Sequence, residues 1–307
     1  MIPPATRRRS LLATGLTALL LTACASREPV ENVPRPRIIS HTPAITEMLI
    51  DMGYGEHLVG VSNWCDLPPG RDIPRVADAN GVRLEAALAV RPDLLLTQSA
   101  PASFEQLKSR LPQMEILRLQ LETLEDIEQA MVRLVEVVEG VDARQAFENS
   151  SDPTRGMKAI IAWKTALDET ARDVPLNQRP NVLFISGWRQ PVVAGPETFI
   201  GDLIAHVGGT NAGEAIPGTQ RWRKAQVESI IRAQPDVLII KTTPEKVGKA
   251  REFWTSQRFR ALLPAARNDR VFAVSNDAWL RPSPTLKDMM QPLRTMVGSV
   301  WASGDEQ

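Results

Sequence analysis

Leu84-Glu85-Ala86-Ala87-Leu88-Ala89-Val90-Arg91-Pro92-Asp93-Leu94-Leu95-Leu96 returns later in the chain as Val227-Glu228-Ser229-Ile230-Ile231-Arg232-Ala233-Gln234-Pro235-Asp236-Val237-Leu238-Ile239. In each copy a Glu precedes Pro-Asp by seven residues. Each copy reads as a short amphipathic helix that stops near the Pro and hands over to an all-apolar strand. Proline disfavours the helical conformation in the residue before it, so the stop has a steric cause. An all-apolar strand is expected to be buried on both faces, as in a parallel sheet.

The two halves also match at their starts. Arg37–Ser40 and Asn181–Ser186 read as strands. Thr42-Pro43 then opens a helix that ends at Gly53, with Thr as N-cap and Pro at the first helical position. In the second half Pro196 leads into a helix around Phe199–Val207, ended by Gly208-Gly209. Strands alternating with helices imply α/β units with parallel sheets, and repetition implies two lobes. Between them, Thr154 to Arg172 reads as one helix, with Met157, Ile160, Ile161, Trp163, Leu167 and Ala171 as its apolar positions. Asp152-Pro153 marks its start and Pro175 follows its end. The last helix is capped at Ser283-Pro284 and carries an apolar stripe through Leu286, Met289, Met290, Leu293, Met296, Val297 and Val300. Core packing explains the Met residues better than a metal-binding stripe does.

The 307 residues carry 36 basic and 36 acidic side chains, with 43% hydrophobic and 23% charged residues. This is ordinary globular composition, which excludes a disordered chain, a collagen-like repeat and a disulfide scaffold. The balance of charge argues against nucleic acid as a partner, because phosphate binding needs a basic surplus. The first 24 residues read as an export signal: Arg7-Arg8-Arg9, an apolar stretch from Leu11 to Leu21, then Leu21-Thr22-Ala23-Cys24. That ending resembles the lipobox of bacterial lipoproteins, in which cleavage precedes the Cys and its thiol carries lipid. A plain signal with an incidental Cys is the other reading. Arg8-Arg9-Ser10-Leu11-Leu12 fits twin-arginine as well as general export. Cleavage before Cys24 removes three Arg and no acid, which leaves 33 bases against 36 acids. It also leaves Cys65 as the one thiol besides the lipidated residue, so no internal disulfide is expected. The layout expected is a signal over 1–23, a lipidated tether over 24–36, an N-terminal lobe over 37–150, a linking helix over 151–174 and a C-terminal lobe over 175–307.

The sequence contains no Walker A loop, G-x-S-x-G, H-E-x-x-H or C-x-x-C motif. Its three His, at 41, 57 and 206, are too scattered for a zinc cluster by spacing. His41 follows a strand and precedes a helix, which is where α/β folds place ligand contacts. It is either such a contact or a hydrogen-bonded structural residue; His57 and His206 read as packing or surface residues. Four of the seven Trp fall in connecting segments. Trp64, Trp188 and Trp279 each follow a strand, and Trp222 lies in the loop before the second Glu helix. Taken singly each reads as loop packing. Together they suggest the rim of a cleft on which a large flat ligand stacks, with Asp277, Arg281 and Gln98 as polar groups that orient it.

Arg37-Ile38-Ile39-Ser40-His41-Thr42-Pro43-Ala44-Ile45-Thr46-Glu47, then Leu58-Val59-Gly60-Val61-Ser62-Asn63-Trp64-Cys65-Asp66-Leu67-Pro68-Pro69, with both Glu/Pro-Asp repeats, resemble the periplasmic substrate-binding proteins of metal-chelate ABC importers, which carry cobalamin, haem or ferric siderophores. The resemblance covers roughly 37–302. It implies two Rossmann-like α/β lobes with parallel sheets, joined by one long rigid helix, with a ligand cleft between the lobes and little hinge closure. It implies a monomer that makes and breaks no bond and needs no cofactor of its own. Its partners would be the metal chelate, the membrane through Cys24, and the importer's membrane subunits. Glu85 and Glu228 match the positions at which the family docks on those subunits; the plainer account is that each Glu favours the positive end of its helix.

The cobalamin binders look most similar. Trp64, Trp222 and the late loop Asp277-Ala278-Trp279-Leu280-Arg281-Pro282-Ser283-Pro284 match their binding segments, while Ala79, Gln98 and Ala278 stand where they carry Trp. A haem receptor would need a Tyr or His ligand, which leaves His41, since Tyr54 lies at a helix end. Two other classes remain: a ligand sensor for a membrane partner that is not a transporter, and an exported enzyme using Cys65 with His41 as nucleophile and base.

Overall fold

The first strand of each half lies inside its sheet, not at its edge. In the computed structural model of the chain, residues 35–78, 81–142 and 152–302 are described. The signal, Cys24 and almost all of the expected tether, together with Ala79, lie outside them. The first sheet holds β1 (Ile38–Ser40), β2 (Leu58–Ser62), β3 (Arg75–Asp78), β4 (Gly81–Val82), β5 (Leu94–Thr97) and β6 (Glu115–Arg118), in the order β4-β3-β2-β1-β5-β6. The second holds β7 (Asn181–Ser186), β8 (Val192–Ala194), β9 (Thr210–Asn211), β10 (Trp222–Lys224), β11 (Val237–Lys241) and β12 (Val271–Val274), in the order β10-β8-β7-β11-β12, with β9 beside β7.

The sheets are parallel through most of their width, as expected, with antiparallel strands added on one side of each. The pairs of β1 with β2 and β5, and of β7 with β9 and β11, are parallel. The β3–β4, β7–β8 and β8–β10 pairs are antiparallel. The β3–β4 and β7–β8 connections are short and leave no room for a crossover helix, whereas β8 and β10 are joined by a long segment that carries a helix and β9. Trp222, expected in a loop, opens β10, where it pairs with Ala194 of β8.

The repeated motif explains why β1 pairs with β5 and β7 with β11. Its helices are α2 (Leu84–Val90) and α7 (Val227–Ala233). Each ends in a left-handed residue, Arg91 or Gln234, which turns the chain into Pro-Asp. The Asp then bonds the residue at the entrance of the lobe's first strand. Arg37 N donates to Asp93 Oδ2 at 2.8 Å, and Asp93 N donates to Arg37 O at 2.9 Å. Asn181 N donates to Asp236 Oδ2 at 2.8 Å, and Asp236 N donates to Asn181 O at 2.8 Å. Each Asp therefore fixes the register of two parallel strands from their entry ends. The strands that follow are buried throughout.

Alternate residues of those strands face different layers, as a period of two requires. Leu95 and Ile39 pack under α2 and α3 (Glu105–Arg110). Leu238 and Ile240 pack under α7, α8 (Val247–Trp254), α9 (Gln257–Leu262) and α10 (Pro264–Arg267). The opposite faces, with Ile38, Leu94 and Leu96 in one lobe and Val182, Phe184, Val237 and Ile239 in the other, belong to one continuous apolar cluster. Helices α1 (Pro43–Asp51), α4 (Leu124–Glu139), α5 (Arg155–Thr170), α6 (Phe199–His206) and α11 (Lys287–Ala302) contribute to it.

Helix α5 is the linking helix, about 24 Å long at ~1.5 Å per residue. Thr154 caps it by accepting from Met157 N. Met157, Ile160, Trp163 and Leu167 are buried, but Ile161 is exposed and Ala171 lies just past its end, so the apolar face is narrower than the sequence suggested. Its start is fastened to the N-terminal lobe. Glu139 Oε1 accepts from Tyr54 Oη at 2.7 Å and from Gly156 N at 3.1 Å. A Cβ on Gly156 would stand 1.9 Å from that hydroxyl, so only Gly fits. Its end is fastened to the C-terminal lobe, where His206 Nε2 meets Leu167 O at 2.6 Å and Arg294 Nη1 donates to Glu169 O at 3.0 Å. The lobes are also stitched directly: Asp202 of α6 accepts from Leu124 N, the first residue of α4, at 2.9 Å. On the last helix Met289 and Met290 are buried in the shared core, as expected of packing residues.

Asp93→Ala should lower stability by about 1–2 kcal/mol, the worth of a charge-assisted hydrogen bond at a partly wet site. Asp93→Asn should cost less, because its amide oxygen still accepts from Arg37 N. Urea unfolding of both variants checks the ordering.

Candidate functional site

A parallel sheet whose first strand is internal leaves a crevice at the carboxyl ends, where the connections on its two sides diverge. Both sheets do this, and their crevices face a common cavity of about 620 Å³. From the N-terminal lobe come Pro43 and Ala44 after β1, Gln98 after β5, and Leu121 and Glu122 after β6. From the C-terminal lobe come Ser186 at the end of β7, Val192, Phe199 and Trp222, and then Asp277, Leu280, Arg281 and Pro282 after β12. The floor is apolar. Phe199 and Trp222 lie 6.0 Å apart between ring centroids at 55°, which leaves a tilted aromatic surface.

The polar groups are held by their neighbours. Lys241, buried at the end of the apolar β11, donates to Asp277 Oδ1 at 2.7 Å and to Thr242 O at 3.1 Å. The Lys241 hydrogen bond is the main cause that holds the Asp277 carboxyl below its usual range, aided by charge from Lys241 and Arg281. Desolvation works against the Arg281 charge, but the bond to Asp66 and the carboxylates of Asp66, Glu47 and Asp277 leave its pKa raised. Gln98 is half-buried, and its backbone carbonyl accepts from Arg118 Nε at 3.1 Å.

Of the residues expected at the site, the cavity brings together Trp222, Asp277, Arg281 and Gln98. Trp279 is a correction: it is 2% exposed and stacks on Phe184 at 5.9 Å, inside the core and not on a rim. The 3-10 turn at Asp277–Leu280 sends Trp279 inward and Asp277 outward. Trp188 is half-buried against Phe253 at 5.4 Å, beneath the Arg189 guanidinium, and does not line the cavity. Trp64 is 65% exposed on the loop after β2, outside the cavity wall. His41 also stands off the wall: Nδ1 pairs with Thr97 Oγ1 at 3.1 Å and the ring meets Phe104 edge-on. Cys65 is buried, between Thr46 Oγ1 at 3.0 Å and Ser62 Oγ at 3.1 Å, so each member of the imagined catalytic pair bonds to a hydroxyl. Glu85 and Glu228 are both exposed, each the second residue of its helix.

The sequence reading passed over Lys241, Glu122, Phe199 and Pro43. Lys241 had a signal: a charge closing an otherwise apolar strand. A larger groove of about 1250 Å³ runs between α4, α5 and the end of β6. No aromatic ring is among the described residues that line it, and two of its cations are already paired, Lys164 with Glu128 at 2.6 Å and Arg133 with Glu136 at 2.7 Å. Among the described residues no cluster of three metal-ligating side chains occurs.

Burial pushes the His41 pKa below its ordinary value near 6.5. The folded state therefore binds this proton less well than the unfolded chain. The stability His41 contributes is present above that ordinary value and is lost as pH falls through the folded one. Wild-type Tm should fall relative to His41→Gln as pH is lowered from about 7.5 to about 5.5, measured as the difference between the two melting curves at each pH.

Comparison with known proteins adds four findings. Residues 38–278 match the family model described as periplasmic binding protein. A vitamin B12-binding protein of Pectobacterium carotovorum subsp. carotovorum is 28% identical over 278 residues, covering 88% of this chain and 89% of its own. Among solved structures, the periplasmic vitamin B12 binding protein BtuF of Vibrio cholerae superposes with a TM-score of 0.68 at 24% identity, over 89% of this chain and 99% of its own. The periplasmic heme-binding protein RhuT from Roseiflexus sp. RS-1 gives 0.63 at 25%, over 85% and 97%.

Proposed function

The chain belongs to the periplasmic binding protein family, and from that premise we propose that it captures a metal chelate, a corrinoid first, and delivers it to an ABC importer. The observation that carries this reading is the cavity shared by the carboxyl ends of both sheets. Its volume falls within the ~300–1,000 Å³ of small-molecule sites, and it has the composition of one: an apolar, partly aromatic floor with a few fixed polar groups. The sequence relatives support a corrinoid as the first ligand to test. The likeness to a heme-binding structure supports haem as the second.

Trp222, with Phe199 beneath it, presents a face to a flat macrocycle; Gln98, Asp277 and Arg281 fix its orientation. The exposed Glu85 and Glu228 sit at equivalent points of the two lobes and suit a two-fold partner such as a pair of membrane subunits. Cys24 anchors the receptor through lipid. Exposed Trp64 is a rim residue on this reading, while buried Trp279 supports the late loop from beneath.

Aquocobalamin or cobinamide added to the mature protein should quench Trp fluorescence, with a Kd of about micromolar or tighter. Trp222→Leu should weaken that binding about tenfold or more, as loss of a central aromatic contact does. No response to corrinoid, haem or any ferric chelate would sink the reading. Glu85→Lys together with Glu228→Lys should stop uptake in cells and leave the Kd of the isolated protein unchanged.

A further inference from the structure

The segment after β12 crosses from one lobe to the other. Asp277 still belongs to the C-terminal side, tied to Lys241. By Ser283 the chain has reached the N-terminal lobe, where Ser283 Oγ donates to Glu47 Oε2 of α1 at 3.2 Å. Arg281 sits at the crossing and on the cavity wall, with its side chain 24% exposed. Its guanidinium hydrogen-bonds the carboxylate of Asp66, 215 residues away on the loop after β2. On its own side it comes within 3.9 Å of Asp277 Oδ2. One guanidinium is thus claimed by carboxylates from both lobes.

The loop that carries Asp66 is anchored up to the preceding residue. Arg75 Nη1 donates to Ser62 O at 2.8 Å and to Cys65 O at 2.6 Å. The Cys65 thiol is bonded by Thr46 and Ser62 from below. Asp66 itself reaches outward, with its side chain 74% exposed. A fixed backbone with a solvated carboxylate at its edge makes a pair that holds its geometry yet costs little to open, since exposed ion pairs contribute little.

Building on the receptor reading above, we propose that Asp66 is a positioning residue that holds Arg281 on the cavity wall in the empty protein and competes with the incoming ligand for its guanidinium. The site then favours ligands whose edge carries a strong acceptor, a carboxylate, phosphate or carboxamide oxygen, able to take Arg281 from a carboxylate. A flat apolar ligand without such an edge leaves Arg281 with Asp66 and gains nothing from it. Asp66 sets the threshold, although it lines no part of the cavity.

The test is a mutant cycle read by aquocobalamin titration. Asp66→Asn should bind about two- to fivefold tighter than wild type, the range of a weak exposed ion pair. Asp66→Ser should do the same, and Asp66→Glu should restore wild-type affinity. In an Arg281→Ala background, Asp66→Asn should change nothing, an outcome that a purely structural role for Asp66 would not produce. Unchanged or weaker binding by both Asp66→Asn and Asp66→Ser overturns the proposal, as does the same gain without Arg281. Either result leaves the receptor reading standing, because wild type still binds. A wild type that binds no corrinoid, haem or ferric chelate removes the receptor reading and the competition with it.

Discussion

A carboxylate bonded to the backbone at the mouth of a strand sets the rest of this structure. Asp93 and Asp236 each join the entrance of a central strand to the entrance of the strand that starts its lobe. With those pairs fixed, the first strand of each lobe is internal and its two connections leave on opposite sides. A crevice at the far end of each sheet is then unavoidable. The same short motif places an exposed Glu on each lobe at a set distance before the clamp. Architecture, cavity and surface marks thus follow from one repeated local arrangement.

The second constraint is the core. The inner faces of the two sheets do not end in separate cores but share one with α4, α5, α6 and α11. Helix α5 is fastened at both ends by buried or half-buried hydrogen bonds, to Glu139 on one side and His206 on the other. Asp202 and Leu124 join the lobes directly. A hinge needs a few residues that absorb a large backbone change, and these contacts occupy the places where such residues would sit. On the receptor reading, specificity then falls to side chains within a fixed frame, and Arg281 lies on the cavity wall.

The strands were legible because their signal is local. Ile38–Ser40, Asn181–Ser186 and the two strands of the repeat stand where their apolar runs put them. The linking helix and the last helix were legible from periodicity and from Pro and Thr at their ends. The antiparallel strands were not, because Val192–Ala194 and Trp222–Lys224 are three residues each, too short to carry a pattern. The candidate site was legible at four positions for a related reason. Trp222, Gln98, Asp277 and Arg281 sit at chain positions that the fold turns toward the cavity. Trp279 shares that neighbourhood but faces inward, because a single 3-10 turn decides which residue of the loop points where. Lys241 and Asp66 make their contacts across 36 and 215 residues, which no window of sequence contains.

The shared core bears on how the molecule comes apart. Two lobes with independent cores would melt in two steps, each with its own enthalpy. Here the residues that seal one lobe's sheet also seal the other's. Losing either exposes apolar surface on both, so the two lobes are expected to unfold together. A half of this chain expressed alone would carry an uncovered apolar face.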